Sequence, residues 1–336
     1  MAQRYRLIGA NGSPYSVKLR AIMRYRRLPF DWVIRTRAVL PEIAHIKPLL
    51  VPILQYPEDG SYHLDSTPLA YALEERHPGT RSIMPDDSGH AFLSHLLEDM
   101  ADEWATKIMF FYRWDRPVDQ DYCSRWLAGE SQVPAGDAEI EALAKQFRDR
   151  QVGRMALVGC DAKNAPLITD SFRRILDLLE AYLRSGRYLF GSRPALADFG
   201  WFGQLSQLAT DPTPMGIMRN TAPRTYQWVW RLDDASGVDG DWLAPTASLP
   251  EATLGLLRLC GEIHLPFLKA NAAAVAAGRE GFSFQACGHT HAQGVFRYQV
   301  KCLDWLRQEF DALTGPARKR TEAILAETGC LPALLS

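Results

Sequence analysis

The chain has 336 residues, of which 47% are hydrophobic and 23% charged, an ordinary globular composition. Its 38 Lys and Arg nearly balance 39 Asp and Glu, which argues against a nucleic-acid partner, since that needs clustered positive charge. No apolar run of about 18 residues occurs and Met1 to Asn11 lacks a signal-peptide core, so the expectation is a cytoplasmic protein of roughly two domains with no membrane span.

Tyr5 to Gly9 reads as a short strand and Asn11-Gly12-Ser13-Pro14 as a turn. Tyr15, Leu19, Ile22, Met23 and Arg26 then fall at helical spacing, with Lys18, Arg20 and Arg24 outside that stripe. Pro29 stops the helix, and Phe30 to Ile34 reads as a second strand, a start that predicts a right-handed parallel crossover. Val39 to Leu50 is ambiguous, a short helix broken before Pro48. Val51 to Tyr56 is a strand reached through a proline, Pro57-Glu58-Asp59-Gly60 a hairpin turn, and Ser61 to Leu64 the partner strand. Asp65-Ser66 stands where an N-cap belongs, ahead of a helix with Leu69, Ala72 and Leu73 that ends at His77-Pro78-Gly79. This β-α-β-(α)-β-β-α order is that of a thioredoxin-like domain.

From Ser88 onward the expectation is all helix. Phe92, Leu96, Met100, Trp104 and Ile108 mark one long helix, and Phe172, Ile175, Leu176 and Leu179 another. Gly129 to Gly136 reads as a loop, and Asp211 to Pro223, rich in Pro and Thr, as a surface loop. Later helices are expected over Phe199 to Leu208, Tyr226 to Asp233, Leu249 to Ala277, Val295 to Leu313 and Ala317 to Glu327. The six cysteines, Cys123, Cys160, Cys260, Cys287, Cys302 and Cys330, lie far apart, which suits reduced thiols better than a disulfide framework. Cys287, His289 and His291, with Cys302 beyond, have zinc-ligand chemistry but no usual structural-zinc spacing. They read as a reduced cysteine and two loop histidines, with no metal.

Three pieces taken in order carry a resemblance. They are Ser13-Pro14-Tyr15-Ser16 after the first strand, Val51-Pro52 with Asp65-Ser66 thirteen residues later, and Tyr188-Leu189-Phe190-Gly191 leading into Pro194-Ala195-Leu196-Ala197-Asp198-Phe199. With them the chain resembles the glutathione S-transferase superfamily over most of residues 4 to 230, as a serine/cysteine-type, bacterial-like member with an extended C-terminal region. The resemblance implies a thioredoxin-like glutathione-binding domain over 1–85, an all-helical domain over 88–240, and a helical extension over 241–336 packed on it.

It also implies roles. The Val51 backbone, held before a cis Pro52, would pair with the cysteinyl part of glutathione like an added strand. Asp65 and Ser66 would take the γ-glutamyl group at a helix N-terminus, and Lys47 would stand near the glycyl carboxylate in place of the Lys or Gln that Leu50 replaces. Ser13 would donate a hydrogen bond to the sulfur, where glutaredoxin-like members hold a cysteine. Many serine-type members place that serine where this chain has Gly12, so Asn11, Tyr15 and Ser16 remain alternatives. Trp104, Phe111 and Tyr112 would wall the pocket of an apolar electrophile, with Arg113 and Arg116 either beside it or on the surface. At the head of the later helix, Ala195 leaves Asp198 only half of a capping box.

The expected activity is therefore that of a glutathione-dependent transferase or lyase, with glutathione as co-substrate, a small apolar electrophile as partner, and a homodimer. The other reading is a non-catalytic binding or scaffold relative. For the extension, stabilisation of the helical domain is the leading expectation, ahead of a lid or a dimer contact.

Overall fold

The protein is described by a computed structural model, in which residues 4–79 and 81–335 are described. The N-terminal part follows the expected order. β1 (Tyr5–Gly9), α1 (Pro14–Tyr25), β2 (Phe30–Ile34), α2 (Leu40–Ile43), β3 (Ile53–Gln55), β4 (Tyr62–Leu64) and α3 (Ser66–Arg76) succeed one another. The sheet order is β2-β1-β3-β4, with β1 and β2 parallel and the remaining pairs antiparallel.

α1 begins at Ser13, whose hydroxyl oxygen accepts from the Ser16 N–H at 3.3 Å, with Pro14 at the first position, where a missing N–H costs nothing. The helix is buried on two sides. Leu19 and Met23 pack with the sheet residues Leu7 and Leu54, while Val17, Ala21, Ile22 and Tyr25 join the core of the helical part. That double burial reaches Lys18, which the spacing placed off the apolar stripe. It is fully buried, held by Glu98 and Asp102 at 2.5 Å each and by Thr67 at 3.1 Å.

The helical part opens with α4 (Ser88–Met100), which runs through a π-helical turn at Ala101–Ala105 into α5 (Thr106–Asp115). Then come α6 (Pro117–Ser131), α7 (Asp137–Val152) and α8 (Ala165–Tyr182). α9 (Leu196–Leu208) is buried at every position and is the axis of the molecule. Two glycines let its neighbours close on it: a Cβ on Gly203 would lie 2.8 Å from the Pro14 carbonyl oxygen, and one on Gly200 2.8 Å from Glu98 Cγ. Without a hydroxyl at Ala195, Asp198 caps alone, accepting from the Ala195 N–H at 2.8 Å and the Leu189 N–H at 3.0 Å. Burial pushes its carboxyl up to about 7.

α10 (Pro212–Thr221) and α11 (Pro223–Asp233) follow. The surface loop expected over 211 to 223 is thus a helix, with Pro212 and Pro214 in its first turn, where proline is tolerated.

The extension holds α12 (Glu251–Leu259), a second π-helical turn at Cys260–His264, and α13 (Leu265–Ala276). It also holds strands, against the expectation of helix alone. β5 (Gly281–Ala286) and β6 (His289–Gly294) pair as a hairpin turned by Cys287 and Gly288, both at positive φ. Buried Phe282, Phe284 and Ala286 alternate with exposed residues, and Phe284 packs edge-on against Trp104. α14 (Arg297–Ala312) and α15 (Gly315–Glu327) lie against α4, and α16 (Leu331–Leu334) closes the chain. One hydrophobic cluster runs without a break from Val17 to Leu334.

Candidate active site

A cleft of about 530 Å³ lies between the sheet domain, the helix containing the first π-helical turn, and α14. On the sheet side it is lined by Pro48, Leu50, Val51, Pro52, Leu64, Asp65, Ser66 and Thr67. The Val51–Pro52 bond is cis. β3 pairs only from Ile53 onward, so Val51 lies outside the ladder. Because Ile53 is level with Ile8 in an antiparallel pair, Val51 lies level with Ala10, beside the turn into α1. Asp65 has φ 77°, and its side chain makes no cap bond to its own helix. Its carboxylate accepts instead from the Tyr298 hydroxyl at 2.6 Å, across the cleft mouth.

The expected site residues fall into two groups. Val51, Pro52, Asp65, Ser66 and Tyr15 line the cleft. Tyr15 Oη stands 3.1 Å from the Asp102 carbonyl and 3.2 Å from Thr106 Oγ1, and burial together with Glu103 and Asp102 raises its pKa well above the usual tyrosine value.

Ser13, Asn11, Ser16 and Lys47 are not on the cleft wall. Ser13 is half-buried at the α1 cap, and Ser16 is fully buried, its Oγ without a partner among the described residues. Asn11 accepts from Arg20 at 2.6 Å, and its backbone N–H donates to Glu130 at 2.8 Å. Lys47 is exposed beside Pro48.

The expected electrophile wall is core instead. Trp104 is fully buried, donates to Ser171 Oγ at 3.2 Å, and packs against Phe267, Phe284 and His291 of the extension. Phe111 and Tyr112 are both buried, Tyr112 against Phe172 of α8. Arg113 is buried as well, bidentate to Asp211 at 2.8 and 3.1 Å and donating to the Gly12 carbonyl at 2.9 Å, so it braces the turn before α1. Arg116 is exposed.

The residues of the possible zinc group also separate. Cys287 sits exposed at the hairpin turn, His291 is buried against Trp104, and Cys302 lies in the cleft. Among the described residues no group of three or more His, Cys, Asp or Glu could hold a metal ion.

What covers the cleft is α14, through Tyr298, Gln299, Lys301, Cys302 and Trp305, with Phe296 just before it. Tyr298, Cys302 and Trp305 fall at helical spacing, which says that they share a face but not what that face covers. The extension is therefore both part of the core and a wall of the site.

The floor opposite α14 is acidic. Asp99, Asp102 and Glu103 share one helix face at its cleft end. Asp102 is paired with Lys18, and Asp99 accepts from or pairs with His264 at 2.6 Å. Burial pushes Asp102 up to about 7 against the pull of Lys18, and burial with Asp99 nearby pushes Glu103 up to about 8. His95, at the same wall, is buried, which works to lower its pKa, but Glu309 at 2.7 Å raises it on balance.

A thioredoxin-like domain with a cis-proline edge, joined to a helical domain across a cleft, defines a fold class, and comparison with known families agrees. The family profile for the glutathione S-transferase N-terminal domain matches residues 7–81, and that for the C-terminal domain matches residues 126–246. The chain belongs to the glutathione S-transferase superfamily.

Among solved structures it is similar to a β-etherase from Sphingobium, at 20% identity over 68% of this chain and 94% of that one, with a TM-score of 0.49. It is also similar to a glutathione transferase of Phanerochaete chrysosporium, at 15% identity over 70% and 98%, with a TM-score of 0.48. A third is a glutathione S-transferase of Methylobacillus flagellatus with glutathione bound, at 18% identity over 69% and 96%, with a TM-score of 0.41. No curated protein sequence matches the chain.

Proposed function

We propose that the protein is a glutathione-dependent transferase or lyase that attacks an electrophilic carbon with the glutathione thiolate. The observation that carries this reading is that Val51, the cis Pro52, Asp65 and Ser66 line one cleft. Val51, outside the ladder, offers backbone groups to an added strand. The α3 N-terminus at Ser66 offers N–H groups and a positive helix end to the γ-glutamyl carboxylate, and Asp65 offers a partner to its ammonium.

A cysteinyl unit paired with Val51 would point its sulfur toward the turn that starts near Ala10 and leads into the α1 N-terminus at Ser13. Ser13 uses an oxygen lone pair to cap α1, which leaves its hydroxyl proton free to donate to that sulfur. With the helix dipole, this donor favours the thiolate. The thiol proton leaves to solvent, the sulfur forms its bond to carbon, and the leaving group departs with the electron pair. Tyr15 is the second candidate, its proton already engaged by Asp102 or Thr106.

Calorimetric titration with reduced glutathione, paired with turnover of an activated aryl chloride, tests the reading. Ser66→Ala should weaken glutathione binding by about 5-fold or more. Ser13→Ala should leave binding intact and cut turnover about 10-fold or more. Unchanged turnover in Ser13→Ala together with a loss in Tyr15→Phe would move the hydroxyl role to Tyr15. No glutathione binding, or binding without turnover of any electrophile, would favour the non-catalytic reading.

A further inference from the structure

We infer that the corner of the cleft between Glu103 and Gln299 is a subsite for a protonated amine on the second substrate, which makes that substrate an amphipathic amine rather than a wholly apolar electrophile. The inference rests on the glutathione reading for how the two reactants meet, and on two observations for the amine, one from each wall of the cleft.

The first is the balance of charge. Four carboxyl groups line the cleft, those of Asp65, Asp99, Asp102 and Glu103. Asp102 has Lys18, Asp99 has His264, and Asp65 has the Tyr298 hydroxyl. Glu103 has only the Gln299 amide, whose Nε2 donates to it at 3.0 Å, and no ion-pair partner among the described residues. Of the cations on the wall, His95 is spent on Glu309 and Lys301 is exposed. Burial first, then the neighbouring Asp99 and Asp102, raise Glu103 against the weaker pull of the Gln299 hydrogen bond and of Lys107, which is not in ion-pair contact with it.

The second observation comes from the opposite wall. Gln299 on α14 is 5% exposed and lines the cleft, yet its Oε1 has no hydrogen-bond partner among the described residues. A buried amide oxygen without a donor is costly, and a ligand that brings N–H groups satisfies it. Gln299 Oε1 and, once an arriving ammonium displaces its proton to solvent, the Glu103 carboxylate are both acceptors, and they come from facing elements. An ammonium, with three donors and no acceptor, matches that pair; a carboxylate or halide does not. Leu50, Phe296 and Trp305 line the same cleft and give it apolar walls for the body of the same molecule.

The test measures dissociation constants of S-aminobutyl-glutathione and of the neutral S-pentyl-glutathione on the full chain, beside unsubstituted glutathione. Free phenylbutylamine and phenylbutanoate are titrated in parallel. On the wild-type chain the amine conjugate should bind about 10-fold or more tightly than the pentyl conjugate, the scale of a charge-assisted hydrogen bond. In Glu103→Gln that preference should vanish while unsubstituted glutathione keeps its affinity. Equal or tighter binding of the pentyl conjugate overturns the proposal, as does a preference that survives in Glu103→Gln. If no glutathione compound binds, the glutathione reading has failed, and the free ligands decide the subsite alone. Phenylbutylamine binding that phenylbutanoate lacks, lost in Glu103→Gln, supports it, and no binding of the amine overturns it. The ligand series on the wild-type chain does not depend on the variant folding.

Discussion

Lys18 ties three elements together with one ammonium. Its Nζ reaches Glu98 and Asp102 on the long helix and Thr67 on the first turn of α3, and Thr67 in turn donates to Glu98 at 2.7 Å. The cluster fixes the residue next to Ser66, and with it the N-terminus offered to glutathione. Two buried carboxylates on one lysine leave a deficit as soon as the lysine goes. Lys18→Met should therefore cost about 3–5 kcal/mol, because it strands buried charge rather than merely removing a contact. Urea unfolding measures this. Adding Asp102→Asn to Lys18→Met should recover part of the loss, since the pair is coupled. A single-variant loss under about 1 kcal/mol, the scale of an exposed pair, would show that the cluster does not work this way.

At the scale of elements, α9 depends on two residues without side chains. The Gly203 site faces the Pro14 carbonyl at 2.8 Å and Lys18 Cβ at 3.2 Å, one of them backbone that cannot swing aside. Gly203→Ala gains up to about 1 kcal/mol of helix propensity and loses about 1–3 kcal/mol to overpacking, so the expected outcome is net destabilisation. Because the displaced atom belongs to the first turn of α1, glutathione affinity should fall as well, which titration of the folded variant checks.

The same elements show what a sequence reveals. β1 to α3 were legible because their signals are local: alternation in Tyr5 to Gly9, turn residues at Pro57 to Gly60, and a cap at Asp65. The β5–β6 hairpin alternates just as regularly at Phe282, Phe284 and Ala286, but it is short and follows a long helical stretch. Trp104, Phe111 and Tyr112 lie on the helix that the aromatic spacing predicts, but they are buried in the core rather than exposed on the wall of the cleft. Periodicity says that a face is covered, not by what, and its cover at Trp104 is Phe267 and Phe284, far along the chain. The cleft suffers the same limit, since one wall is α14 and nothing local connects Tyr298 to Asp65.

The shifted groups lie in or around one continuous core, so each adds its own slope to the stability of the whole molecule. Glu103 moves from its ordinary 4.5 up to about 8, and Asp198 from 3.8 up to about 7, both through burial. The folded chain thus holds protons that the unfolded chain has released, and a state that binds more protons loses stability as pH rises. His291 acts in the opposite sense. Burial and Lys107 lower it from 6.5 to about 4, so the unfolded chain takes up a proton that the folded chain refuses, and stability falls as pH drops through that interval. The two slopes oppose each other below pH 6.5; above it the carboxyl slope remains, joined in the same sense by His95, which Glu309 raises. The urea midpoint should therefore decline from pH 6.5 to pH 8. Glu103→Gln carries no proton to lose, so its midpoint should decline less steeply across the same window. Parallel slopes for the two proteins would mean that Glu103 is already ionised in the folded chain, and that the cleft floor holds a negative charge with or without an amine to meet it.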